Sequence, residues 1–355
     1  MLRKFLAMSI IGTSFSRGFS QDTTIIVSSE EKKFKVSGSV DAYYRYNFAN
    51  AKDSGRTNNY TSFTNSQNSF ELGMASVKIG YSSGKVGLVA DLGFGTRATE
   101  FAYAESGAMA AIKQAYVTYS PSEKITFTLG KFGTHVGYEV LDPQLNRNYS
   151  MDYMFSYGPF SHTGLKADVN LSDHFGFMLG VANPSDHISA PFAKKCLLAQ
   201  VHGGTENFSA FLNYVGGKDT SGIASNQVDL VLTGKLSDKV SLGYNGTVKT
   251  VKAVKYDGSN SWWGSALYVN VDPTDKFGFT LRGEVFDDKK GVAGFGTLLF
   301  DATLSLNLKP AENFMIIPEF RLDSSKDPLF YKNTDKIFPT AKSAGTFVLA
   351  AVYSF

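Results

Sequence analysis

Cysteine is nearly absent. Cys196 is the only one in 355 residues, so no intrachain disulfide is available to the fold. Charge is sparse as well: Asp, Glu, Lys and Arg make up 19% of the chain, against about 25% in ordinary soluble domains. Long apolar runs are missing. A membrane-spanning helix needs about 20 consecutive apolar residues, and the best stretch, near the N-terminus, is flanked or broken by Arg3, Lys4 and Arg17. A polytopic helical membrane protein is therefore excluded. The five histidines, at 135, 162, 174, 187 and 202, never stand three or four residues apart as a zinc pair would. Gly93-Phe94-Gly95 and Gly294-Phe295-Gly296 fall at strand ends, not before helices, so they read as bends and not as nucleotide-binding turns. The sequence predicts no metal, no cofactor and no enzyme. What it does contain is 29 Phe, 18 Tyr and 34 Gly, a composition that points to β structure.

Residues 1–20 read as a cleaved secretory signal. Arg3 and Lys4 supply the positive start, Phe5 to Ile11 a short apolar core, and Gly18 and Ser20 the small residues before a cut ahead of Gln21. A buried N-terminal helix is the bland alternative. Cleavage there removes three of the 35 basic residues and no acid, leaving 32 against 32. The basic balance then disappears, and nucleic acid with it as a partner. Residues 21–33 form a short lead-in to one domain, 34–355.

From Phe34 onward the dominant period is two. Phe34, Val36, Val40, Tyr44, Tyr46 and Phe48 share one face; Lys35, Ser37, Ser39, Asp41, Tyr43, Arg45 and Asn47 share the other. Similar alternation recurs through Val86–Phe94, Ile125–Leu129, Leu165–Leu171, Phe175–Val181, Val228–Leu236, Phe277–Val285, Leu298–Leu308, Phe314–Asp323 and Phe347–Phe355. Connections alternate in length. Short turns rich in Gly, Pro, Asp, Asn and Ser lie near 82–85, 121–124, 172–174, 203–207, 237–239, 272–276 and 309–313. Long polar stretches lie near 49–67, 95–110, 133–161, 183–194, 217–226, 250–260, 287–296 and 324–342. The pattern predicts an all-β fold: an antiparallel up-and-down transmembrane barrel of about sixteen strands, with short periplasmic turns and long extracellular loops. Between Phe70 and Tyr81 the apolar phase switches, which predicts a β-bulge. Lys195–His202 and Ser261–Val271 are apolar on both faces and are the weakest strand assignments. A soluble sandwich or propeller also alternates, but not at these strand lengths, and not up to a terminal Phe355. That terminal aromatic implies contact with the barrel-assembly machinery, and outer-membrane lipid and lipopolysaccharide are the expected surroundings.

The polar face carries Lys35, Asp41, Arg45, Asp91, Lys166, Asp168, Asp229, Lys235, Lys249, Arg282, Glu284, Asp301, Glu319, Arg321 and Asp323. A basic residue facing lipid at the midplane costs about 2–4 kcal/mol, so these face the lumen and are expected to line a pore. For any one of them a plain solvated charge is the competing reading. Glu319, Arg321 and Asp323 beside Arg282 and Glu284 are the best candidates for facing charge ladders. The 133–161 loop, about 29 residues, is long enough to imply a function. It holds Tyr138, Glu139, Asp142, Arg147, Tyr149 and Asp152, and is expected to fold inward as a constriction; an external lid is the alternative.

Gly130-Lys131-Phe132-Gly133-Thr134, Gly137-Tyr138-Glu139-Val140, Asn148-Tyr149-Ser150 and His162-Thr163-Gly164, preceded by Ile112-Lys113-Gln114-Ala115-Tyr116-Val117, resemble the β-barrel porin-2 (OmpL-like) family of Gram-negative outer membranes. This chain has Met151 and Asp152 where such proteins often carry a basic residue. The resemblance implies an outer-membrane channel for small hydrophilic solutes or ions, and analogy with porins a homotrimer. An adhesion barrel acting through its loops, or a hydrolase using His162, are the rival readings.

Overall fold

A computed structural model describes residues 32–49, 56–252, 258–335 and 337–355. The expected signal, 1–20, lies outside the described residues, as do most of 21–33. Sixteen strands are present among the described residues. They are β1 (Lys33–Asn47), β2 (Ser69–Ser83), β3 (Val86–Phe94), β4 (Ile112–Ser122), β5 (Ile125–Gly133), β6 (Ser161–Ser172), β7 (Phe175–Ala182) and β8 (Cys196–Gly204). Then follow β9 (Phe208–Lys218), β10 (Ala224–Ser237), β11 (Val240–Lys252), β12 (Asn260–Thr274), β13 (Phe277–Asp287), β14 (Leu298–Ala311), β15 (Phe314–Ser325) and β16 (Ser343–Ser354). Each strand pairs antiparallel with its neighbours in sequence, and β16 pairs with β1 to close the barrel.

Closure answers a physical requirement. An open edge in lipid leaves backbone N–H and C=O groups without partners. Here the register runs from Ser39↔Ser354 to Asn47↔Thr346. Gly38 and Phe355 then exchange two backbone hydrogen bonds of 3.0 Å, so the last residue is knitted into the seam.

The period-two reading assigns the faces correctly. Phe70, Leu129, Leu165, Leu267, Leu281, Phe320 and Leu349 point outward and are exposed, while Asp41, Asp229, Arg282 and Glu319 are buried inside. An apolar belt around the whole barrel far exceeds the patches of a few hundred Å² that soluble monomers expose, and lipid is the solvent that suits it. The phase switch in β2 is a bulge at Gly73: Asp41 pairs with Met74 and Ala42 with Leu72. In β12, apolar residues sit on both faces because Trp262, Ala266 and Tyr268 turn inward, into an aromatic cluster that covers them.

All seven short turns fall where the sequence places them. Some long connections differ in their bounds. The 133–161 loop is 134–160, since Gly133 and Ser161 are strand residues. The 217–226 stretch shrinks to 219–223, because β9 and β10 continue pairing as far as Lys218 and Ala224. Short helices interrupt two loops: α1 (Thr96–Ala102) between β3 and β4, and α2 (Tyr153–Ser156) between β5 and β6.

Candidate functional site

The site is built where the 134–160 loop meets the inner face of β13, β14 and β15. Register places three rows of side chains there. Glu284, Asp301 and Asp323 lie side by side; Arg282, Thr303 and Arg321 form the next row; Thr280, Ser305 and Glu319 the third. Like charges directly opposite across strands repel. Asp301 and Asp323 of the first row are therefore held by the arginines of the next. Arg282 reaches Asp301 at 2.7 Å, and Arg321 reaches Asp301 at 3.3 Å and Asp323 at 2.8 Å. The facing charge ladders expected from the sequence are thus present, but with rows of like sign bridged diagonally.

The loop lies directly on this lattice, and the wall holds its main chain. Glu319 accepts from the backbone N–H of Tyr149 at 2.7 Å and of Ser150 at 3.1 Å. Glu284 accepts from Tyr153 N–H at 2.7 Å and Met154 N–H at 2.9 Å. Asp152 caps α2 by accepting from Phe155 N–H at 2.6 Å, the usual N-cap arrangement. The loop's carbonyls are taken by arginines: Ser150 by Arg282 at 2.8 Å, Met151 by Arg321 at 2.6 Å, and Tyr149 by Arg97 of α1 at 3.3 Å. Side chains add to this. Tyr149 donates its hydroxyl to Asp41 at 2.5 Å, Tyr153 to Asp323 at 2.8 Å, and Tyr268 to Asp152 at 2.7 Å. Tyr138 stacks on Tyr268 with ring centroids 4.2 Å apart.

Glu139 is the loop's own hub. Its carboxylate pairs with Arg282 at 2.6 Å and accepts from Asp152 N–H at 2.8 Å. Burial pushes it up to about 8, against the pull of Arg282, and the nearby Asp152 adds to the rise. Asp152 shifts upward for the same first reason, burial. At the loop's far end, Asp186 accepts from Phe160 and Ser161 N–H, both at 2.8 Å, and burial raises it to about 6.

The tip of the loop reaches both sides of the barrel. Asp142 pairs with Lys113 of β4 at 2.5 Å, where Asp91 also pairs at 3.1 Å. Arg147 pairs with Asp272 at the end of β12. Below the tip, at the short-turn rim, lies a cavity of about 470 Å³ lined by Gln144, Lys276, Lys309, Glu312, Met315 and Val352. On the long-loop side the interior is capped by aromatics from several loops. Tyr60, Phe295 and Phe330 pack with Tyr153 and Tyr157, while Phe63, Phe101, Phe155 and Phe160 form a second cluster.

Most residues proposed from sequence therefore gather on one assembly: Asp41, Arg282, Glu284, Asp301, Glu319, Arg321 and Asp323 from the wall, with Tyr138, Glu139, Tyr149 and Asp152 from the loop. Asp229 belongs to it through Gly137 N–H at 3.0 Å. Arg45 is buried nearby but donates to the carbonyls of Thr57 and Ser66 in the loop between β1 and β2. Lys166 pairs with Asp168 at 3.4 Å on the opposite wall. Lys249 donates to Tyr157 O at 3.2 Å. Lys35 and Lys235 stand apart, exposed toward the short-turn ends of their strands. His162 is fully buried against Thr134, with Nε2 to Oγ1 at 3.1 Å. Sequence reasoning missed Arg97, whose helix falls in a loop without alternation, and Lys113, whose partner Asp142 is 29 residues away.

Solved structures with the same fold include the anion-selective porin of Comamonas acidovorans, 12% identical with a TM-score of 0.62, covering 92% of this chain and 100% of that one. The outer-membrane channel DcaP of Acinetobacter baumannii is 13% identical with a TM-score of 0.61, covering 95% and 99%. The trimer form of OmpT from Vibrio cholerae is 12% identical with a TM-score of 0.56, covering 91% and 99%. No curated protein matches the chain. The family described as "Putative beta-barrel porin-2, OmpL-like" matches residues 33–355. A closed barrel of sixteen antiparallel strands, an apolar outer belt, a charged interior and that match along nearly its whole length place this chain in the beta-barrel porin-2 family of Gram-negative outer membranes.

Proposed function

We propose that the protein is a passive outer-membrane channel for small hydrophilic solutes or ions, and that the 134–160 loop is its constriction. The observation that carries this reading is the inward course of that loop, with main-chain and side-chain bonds to β1, β10, β12, β13, β14 and β15. A barrel of sixteen strands is otherwise wide enough for an aqueous passage. The loop lies along the β9–β1 side of the lumen and its tip crosses to Lys113 of β4, so solutes pass through what it leaves. Charges of both signs remain partly accessible at its tip, at Asp142, Arg147 and Asp272. They favour size exclusion with a local transverse field over strong ion preference. Short turns face the periplasm and long loops the exterior, with lipopolysaccharide around the outer rim, Phe355 presented to the assembly machinery and a homotrimer as the oligomer.

The test is single-channel conductance of the refolded mature protein in a planar bilayer, with and without residues 140–157. Steps that enlarge on deletion support the constriction. Steps of unchanged size sink it while keeping the channel. A folded, heat-modifiable barrel that passes no current points to an adhesive or plugged protein.

A further inference from the structure

Two wall carboxylates have a geometry that goes beyond lining. Glu284 offers one oxygen to each of two consecutive amides, Tyr153 and Met154. Glu319 does the same for Tyr149 and Ser150, and its Oε2 also accepts from Ser305 Oγ at 2.7 Å. The amide pairs are four residues apart in the loop. The two carboxylates come from β13 and β15, on either side of β14. Between them the loop's carbonyls at Ser150 and Met151 are gripped by Arg282 and Arg321. From Tyr149 to Phe155, charged side chains of the wall or of the loop itself hold six of the seven main-chain N–H groups and the first three carbonyls.

From this geometry we infer that Glu284 and Glu319 are positioning residues that clasp the loop by its main chain and thereby set the width of the passage. The inference rests on the channel reading above. Ion pairing alone does not explain the arrangement, because neither carboxylate has a basic partner within salt-bridge distance among the described residues, although Arg282 and Arg321 are neighbours in the lattice. Their partners are the amides. An ionised carboxylate is acceptor-only and satisfies two donors at once, whereas a carboxamide of the same shape turns one of its two ends into a donor. Glu→Gln therefore sets an N–H against an N–H at a buried site while changing almost no volume. A buried donor left in that state loses its bond and its solvation together. Because the clasp reads the main chain, it fixes the loop's path whatever side chains the loop presents to the solute.

The experiment uses the full-length mature chain with Cys196→Ser and Met151→Cys, which places the only thiol at a position that is fully buried between the two clasps. Glu284→Gln, Glu319→Gln and the double variant are added to it. Heat-modifiable mobility reports the barrel, thiol labelling reports loop seating, and single-channel recording reports the passage. Each single variant is expected to label about tenfold faster than its parent and the double variant faster still, with noisier and larger current steps and the barrel intact. Labelling unchanged in all three overturns the clasp. A parent that conducts nothing overturns the channel reading, and labelling still decides the clasp. Where a variant fails to fold, amide exchange in the unmodified protein decides. Slow, correlated exchange at Tyr149, Ser150, Tyr153 and Met154 supports the clasp, and fast exchange there overturns it.

Discussion

At the scale of single residues, charge inside this barrel is spent mainly on holding a loop. Alternation alone distinguishes Arg282 from Leu281, since a charge facing lipid costs several kcal/mol and one facing inward does not. It does not tell whether an inward charge meets water, another charge or a backbone amide. Glu139 illustrates the difference. In the seated loop burial raises it to about 8 from an ordinary 4.5, so its proton is bound more tightly when the loop is in place. By linkage, its contribution to seating is complete below about pH 4.5 and fades as pH climbs through about 8. A spin label at Gln144→Cys, in the Cys196→Ser background, is expected to gain mobility between pH 5 and 9. Glu139→Gln is expected to flatten that response, and an equal response in the variant would assign it elsewhere.

At the scale of elements, glycines in the wall make room for the loop. Gly264 on β12 faces inward beneath Met154, and Gly243 on β11 beneath the ring of Tyr138; a Cβ at either would strike those side chains. Overpacking of this kind costs about 1–3 kcal/mol. Gly264→Ala is expected to unseat α2 and speed exchange of the Tyr153 and Met154 amides. Gly283→Ala on the neighbouring strand, where an added Cβ meets nothing within 4 Å, is the control and should leave them slow. Local pattern placed these strands well, including the bulge in β2, because side-chain period and turn chemistry are properties of a few adjacent residues. It placed α1 and α2 nowhere. Each is a single short helical segment stabilised by contacts far away in sequence, such as Arg97 with the carbonyl of Tyr149.

At the scale of the whole molecule, the rhythm of short and long connections sets orientation, with long loops outside. Proteolysis of intact cells is expected to cut within 49–67 or 324–342 and to spare 121–124 and 237–239. Cleavage confined to the short turns would invert the barrel. Three of the long loops, those after β1, β5 and β15, are joined, since Tyr60 donates to the Leu329 carbonyl at 2.6 Å and Tyr157 to that of Tyr60 at 3.0 Å. Cutting one loop is therefore expected to loosen the others, visible as faster cleavage at the second site after the first.

The amino-acid sequence by itself determined the barrel. Period-two alternation fixes which side chains face lipid, turn residues fix where strands reverse, and an even number of long strands with no tolerable edge forces closure. It also marked nearly every residue of the inner charge lattice. Only the tertiary structure decided what that lattice does. Glu319 and the amide of Tyr149 are 170 residues apart, and their meeting depends on the register of three strands and the path of one irregular loop. No local pattern encodes a bond between a side chain and a distant main-chain group, because every residue carries the same amide.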